Sequence, residues 1–133
     1  MSWQDAPLYV RAHDLAVDLH GRLPHLPDAY RASLGCGLAR EASTILSGVA
    51  LGLTFPDERA LHQAGVDEAI VRLRVHLRVA EALGVLSTGA ASHVHDQLTD
   101  IGRMLGGWRK RETRRLAERK PTSGGGPPLR PGA

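Results

Sequence analysis

The chain has 133 residues, 42% apolar, 4% aromatic and 23% charged, with a formal net charge of +3. That length fits one domain with a real core, and so few aromatic residues favour a Leu/Val/Ile/Ala core of packed helices over a β-sandwich. No apolar run approaches the roughly 18–20 residues that span a bilayer, and no basic stretch followed by an apolar one opens the chain, so neither a membrane association nor a signal peptide is expected.

The first helix is predicted over residues 7–23, with Asp5 as its N-cap and Pro7 in its first turn. Leu8, Ala12, Leu15 and Leu19 make its apolar stripe, with Ala16 and Leu23 at the edge. Pro24 and Pro27 break the helix and form a short link, which favours an antiparallel return. The second helix covers about 28–53, with Leu34, Leu38, Ala42, Ile45 and Val49 as its seam. Gly48 and Gly52 lie one turn apart on one flank, and Gly35 and Gly37 each cost about 1 kcal/mol of helix stability relative to Ala.

The third helix is predicted over 57–83. Its first half is weakly patterned and contains Gly65, which leaves a kink there open; its second half repeats strongly at Ile70, Leu73, Leu77 and Ala80. Gly84 suits the position that closes it. Ser87 caps the fourth helix, predicted over 88–119 and ended by Pro121. Here Val94, Leu98, Ile101, Leu105 and Trp108 alternate steps of four and three, the pattern of a helix packed lengthwise on others. Residues 120–133 are rich in Pro and Gly and read as a disordered tail. With no period-two alternation, residues 1–119 read as an all-α, antiparallel up-down-up-down four-helix bundle.

Enzyme signatures are poor. There is no phosphate-binding glycine loop, no CxxC and no HExxH. His93 and His95 point about 200° apart on a helix and cannot share a metal. Cys36, the single cysteine, excludes an intrachain disulfide, fits a reducing cytoplasm and has no neighbouring base to activate it. No catalytic residue, metal or cofactor is expected.

Charge is more informative. From Arg109 onward there are eight Lys/Arg against two Asp/Glu, a balance of +6, whereas residues 1–108 hold nine against twelve, a balance of −3. A cationic end of this kind suits a polyanion such as nucleic acid, or simply solubilises the chain. Arg72, Arg74 and Arg78 flank the third helix and Arg103 lies on the outer face of the fourth. With Arg109, Lys110, Arg111, Arg114 and Arg115 they form the candidate phosphate-contacting set, for which the planar guanidinium fork is well suited. Alternatively they are a solvated flank. Gly102 and Gly106, one turn apart beside the last seam, either admit a neighbouring helix of the same bundle or form a subunit contact with Trp108 as its anchor.

The string Ile101-Gly102-Arg103-Met104-Leu105-Gly106-Gly107-Trp108 resembles the end of the last helix in the accessory variability determinants of diversity-generating retroelements. These belong to a wider group of four-helix-bundle proteins encoded in 23S rRNA intervening sequences. Leu8-Tyr9, Asp14-Leu15, Arg22, Leu34-Gly35, Arg72-Leu73, Leu77-Arg78-Val79-Ala80 and Leu86-Ser87 are similar in the same sense, and the resemblance covers about residues 7–110. It implies a non-enzymatic, pentameric ring that binds a reverse transcriptase and RNA or DNA and supports synthesis of mutagenised cDNA. The −3 balance of residues 1–108 departs from the basic bundle usual in that family. It favours a second expectation, a protein-interaction bundle without nucleic-acid binding. Dispersed aromatics offer no stacking platform, so any nucleic acid would be held by its backbone.

Overall fold

The structure, a computed structural model, describes residues 2–119. Four long helices account for most of them: α1, Pro7–Arg22; α2, Cys36–Thr54; α3, Arg59–Ala82; and α4, Thr88–Arg119. The expected tail at 120–133 lies outside the described residues.

Contacts between the helices fix their directions. Gly37 packs on His76, Gly48 on Val66 and Gly52 on His62, so α2 and α3 run antiparallel. Arg74 reaches His95 and Thr99 while Asp67 reaches Arg109, so α3 and α4 do the same. Arg11 meets Asp100 and Asp18 faces His93, which sets α4 antiparallel to α1. The chain thus goes up, down, up and down around one core.

That core is built from the predicted stripes. Leu15, Leu19, Leu38, Ile45, Leu73, Leu77, Leu98, Ile101 and Leu105 are its largest fully buried apolar side chains. The period of 3.6 residues per turn keeps such positions on one face, and burial of that face is what stabilises the helices.

The ends have local causes. Pro7 occupies the first turn of α1, where its missing N–H costs nothing. Gly84 takes φ +71°, and the Val85 N–H donates to the Ala80 carbonyl at 2.8 Å while Gly84 donates to Glu81 at 3.0 Å. This is a Schellman closure, which needs a residue tolerant of left-handed geometry. Ser87 Oγ accepts from the Ala90 N–H at 3.1 Å and caps α4.

Three details differ from expectation, and one that the sequence left open is decided. Ala6, not Asp5, stands at the N-cap of α1, because Trp3–Asp5 coil into a short 3-10 turn of their own. The second helix is not uniform: Asp28–Tyr30 forms one α turn, Arg31–Gly35 is π-helical, and regular α2 starts at Cys36. The extra residue in that π turn shifts the phase of what precedes it, so Gly35 is buried and Leu34 only half-buried. The third helix begins at Arg59, after a 3-10 turn at Pro56–Glu58. It passes through Gly65 as one continuous helix, because Gln63 and Val66 are buried on either side of that glycine.

Candidate nucleic-acid interface

Nine cationic residues were expected to act together, and the structure divides them. On α3, Arg72 Nε donates to Glu41 Oε1 at 3.0 Å and its Nη1 lies 3.8 Å from Glu68. Arg74 leans onto α4, where Nη1 donates to His95 Nδ1 at 3.1 Å and Nη2 to Thr99 Oγ1 at 3.2 Å. On α4, Arg103 pairs with Asp100 at 3.0 Å, Arg109 with Asp67 at 3.0 Å and Arg115 with Glu112 at 2.7 Å. Arg72, Arg74 and Arg109 join neighbouring helices, whereas Arg103 and Arg115 pair within α4; the carboxylates beside Arg72, Arg103, Arg109 and Arg115 locally cancel their positive charge.

Among the described residues, no carboxylate lies within 4.0 Å of Arg78, Lys110, Arg111 or Arg114, and all four are exposed. Lys110, Arg111 and Arg114 follow at i, i+1 and i+4, so they share the outward face of α4 within about 100° of arc. The buried line Val94, Leu98, Ile101, Leu105, Trp108 and Glu112 runs along the opposite face. Three of the four free cations therefore stand together on the exposed side of the longest helix, near its C-terminal end.

Glu112 explains how so basic a segment stays helical against the bundle. It is 4% exposed and holds Arg115 through two hydrogen bonds, Nε to Oε1 at 2.8 Å and Nη2 to Oε2 at 2.7 Å. Arg59 comes within 3.7 Å from the start of α3, and its Nε donates to the Gly52 carbonyl at the end of α2 at 2.7 Å. Glu112 thus ties α4 to α3 through Arg59, and Arg59 in turn ties that contact to α2. The hydrogen bonds from Arg115 hold the Glu112 carboxyl below its usual value, helped by the positive charges of Arg115, Arg59 and Arg119 and opposed by burial. Arg115 is correspondingly held more firmly protonated.

The three residues expected at a subunit contact also divide. Trp108 is 9% exposed and belongs to this bundle's own core. Its ring seats on Gly52, where an added Cβ would come within 2.7 Å of Cη2. Its burial thus removes it as a free anchor for a second subunit. Gly102 and Gly106 are different, since a Cβ at either would meet nothing within 4 Å. The close intramolecular approach occurs at the other pair, Gly48 against Val66 and Gly52 against Trp108.

Glu41, Gln63 and Glu112, all buried, were not identified from the apolar pattern. The signal available was positional: Glu112 falls four residues after Trp108, on the same seam. Among the described residues, no three His, Cys, Asp or Glu side chains are grouped to hold a metal ion, and no helix is long and apolar enough to cross a membrane. A shallow cleft of about 330 Å³ lies beside Trp108, lined by Pro7, Leu8, Leu53, Met104 and Arg111. No family model matches this chain, and no curated protein sequence matches it.

Proposed function

We propose that this protein is a non-enzymatic, homo-oligomeric accessory subunit of a retroelement reverse transcriptase, which binds RNA or DNA through the sugar-phosphate backbone. The observation that carries this reading is the outward face of Lys110, Arg111 and Arg114 on α4, cationic and without carboxylate partners. The resemblance of the adjoining Ile101–Trp108 string supplies the biological setting. Arg78 adds a further unpaired charge, whereas Arg72, Arg103, Arg109 and Arg115 serve chiefly as struts.

Such a surface reads charge rather than sequence. Each phosphate contact releases a counterion, so affinity falls steeply with salt. Replacing Lys110, Arg111 and Arg114 together with Ala should weaken binding to a mixed-sequence RNA and lower the log–log salt slope by about 2, at roughly 0.7 per contact on single strands. Fluorescence anisotropy across a salt series measures this. An unchanged slope would remove that face from the mechanism. A reverse-transcriptase gene beside this one, and co-purification of its product with this protein, would test the setting; absence of a stable complex would remove it.

A second reading is a protein-interaction bundle that does not bind nucleic acid. The cancellation of Arg72, Arg103, Arg109 and Arg115 by acidic neighbours favours it. It predicts no RNA binding at physiological salt and a stable complex with a protein partner.

A further inference from the structure

The cleft beside Trp108 is walled by three helices. Ala6, Pro7 and Leu8 come from the start of α1, Leu53 from the end of α2, and Met104, Trp108 and Arg111 from α4. Met104 and Arg111 are two turns apart and so lie on one line of α4. That line runs on from Asp100, which meets Arg11, and it therefore faces α1. Every lining residue except Arg111 is apolar, so water in the cleft is readily displaced by an apolar or aromatic group. Arg111 is exposed, and its Nη1 lies back along α4, where a Cβ on Gly107 would meet it at 3.5 Å. The guanidinium thus stands at the rim. Among the described residues, no carboxylate lies within 4.0 Å of it. A volume of about 330 Å³ is at the small end of ligand-binding clefts. It suits one flat ring system better than a peptide or a lipid chain.

We propose that the cleft takes one unstacked base of a single-stranded RNA or DNA, while Arg111 holds the phosphate attached to it. Three observations select this occupant. A lone anionic group would need only Arg111, yet Lys110 and Arg114 continue the positive charge outward from the rim. They are one turn, about 6 Å, apart, and such a line fits a repeating anion. The walls offer apolar surface and no pattern of donors and acceptors, which any base can use because every base has a π-face. Aromatic rings far apart in the chain also gather at this end of the bundle. Trp3 and Tyr9, which bracket the Ala6–Leu8 wall in sequence, meet edge to face with centroids 5.0 Å apart, and Trp108 lines the cleft. A base inside a duplex is stacked and paired, so entry would require extruding it, and the site selects single strands. The inference rests on the nucleic-acid reading above and adds to it a base contact that the cationic face alone does not need.

The test compares two strands of equal length and charge: a mixed-sequence single-stranded DNA and its counterpart made wholly of abasic nucleotides. Fluorescence anisotropy at one salt concentration gives both affinities. The full chain should bind the intact strand at least about fivefold more tightly, the factor that one stacked base supplies. In a Trp3→Phe background Trp108 is the one tryptophan left, and the intact strand should quench its emission while the abasic strand should not. Ala6→Leu adds bulk to the wall and should bring the affinity for the intact strand down to that for the abasic one; its melting curve checks that the fold is kept. Equal affinities of the unmodified chain for the two strands overturn the inference and leave the cationic face of α4 standing. A preference for the intact strand that Ala6→Leu retains, or that comes without quenching of Trp108, also overturns it. Binding of neither strand overturns both the inference and the reading on which it rests.

Discussion

Glu112 shows how one side chain sets the behaviour of its surroundings. Its carboxyl is held below the usual value, chiefly by the hydrogen bonds from Arg115. A depressed carboxyl stabilises the fold above the unfolded-state pKa, and that contribution disappears as pH falls through the folded-state pKa. Wild-type protein should therefore lose stability below pH 4.5, the ordinary glutamate value. Glu112→Gln should be less stable at neutral pH and should show a shallower acid loss; melting curves from pH ~7 to ~3 read both. The glycines make a second residue-scale contrast. Gly52→Ala would press a methyl to within 2.7 Å of the Trp108 ring, and overpacking of that kind costs about 1–3 kcal/mol. Gly106→Ala meets nothing within 4 Å and should stabilise the chain by up to about 1 kcal/mol through helix propensity. Denaturant titrations of the two variants should move in opposite directions.

At the scale of the element, the links are set by local chemistry. The α3–α4 connection depends on Gly84 at φ +71°, where any residue with a Cβ is strained by about 1–2 kcal/mol. Gly84→Ala should lower the unfolding free energy by about that amount, measured by the denaturant midpoint. Gly84 and Ser87 were legible because closing and capping residues act within a few positions of themselves. The π-helical turn at Arg31–Gly35 was not. It places Gly35 so that an added Cβ would meet Leu26 at 3.1 Å and Leu23 at 3.2 Å. The phase shift thus accompanies packing against the preceding link, a contact that periodicity does not record. Asp5 failed as a cap for a related reason, since Trp3–Asp5 closes its own turn through the Ala6 N–H to the Trp3 carbonyl.

At the scale of the molecule, every buried residue described lies between Leu8 and Glu112. Removing residues 120–133 should accordingly leave the melting temperature unchanged within about a degree or two, while the loss of Lys120 and Arg130 weakens RNA binding slightly. Differential scanning calorimetry and anisotropy check the two halves of this prediction. The charge map changes at the same scale. Read along the chain, nine cations make one basic set. In the bundle, some find carboxylates on neighbouring helices, as Arg72 does with Glu41 on α2 and Arg109 with Asp67 on α3. Those at the outward end of α4 find none.

The sequence by itself determined the four helices, their inward faces and the capped link between α3 and α4. These follow from periods of three and four residues and from the local demands of Pro, Gly and Ser. Only the tertiary structure decided which cations are free, that Trp108 rests on Gly52, and that Arg59 bridges Glu112 on α4 to the end of α2. It also left Val71, Val75 and Val79 of α3 exposed. Each of these depends on which helix lies beside which, at what height, and so on pairs such as Asp67 with Arg109 that lie far apart in the chain.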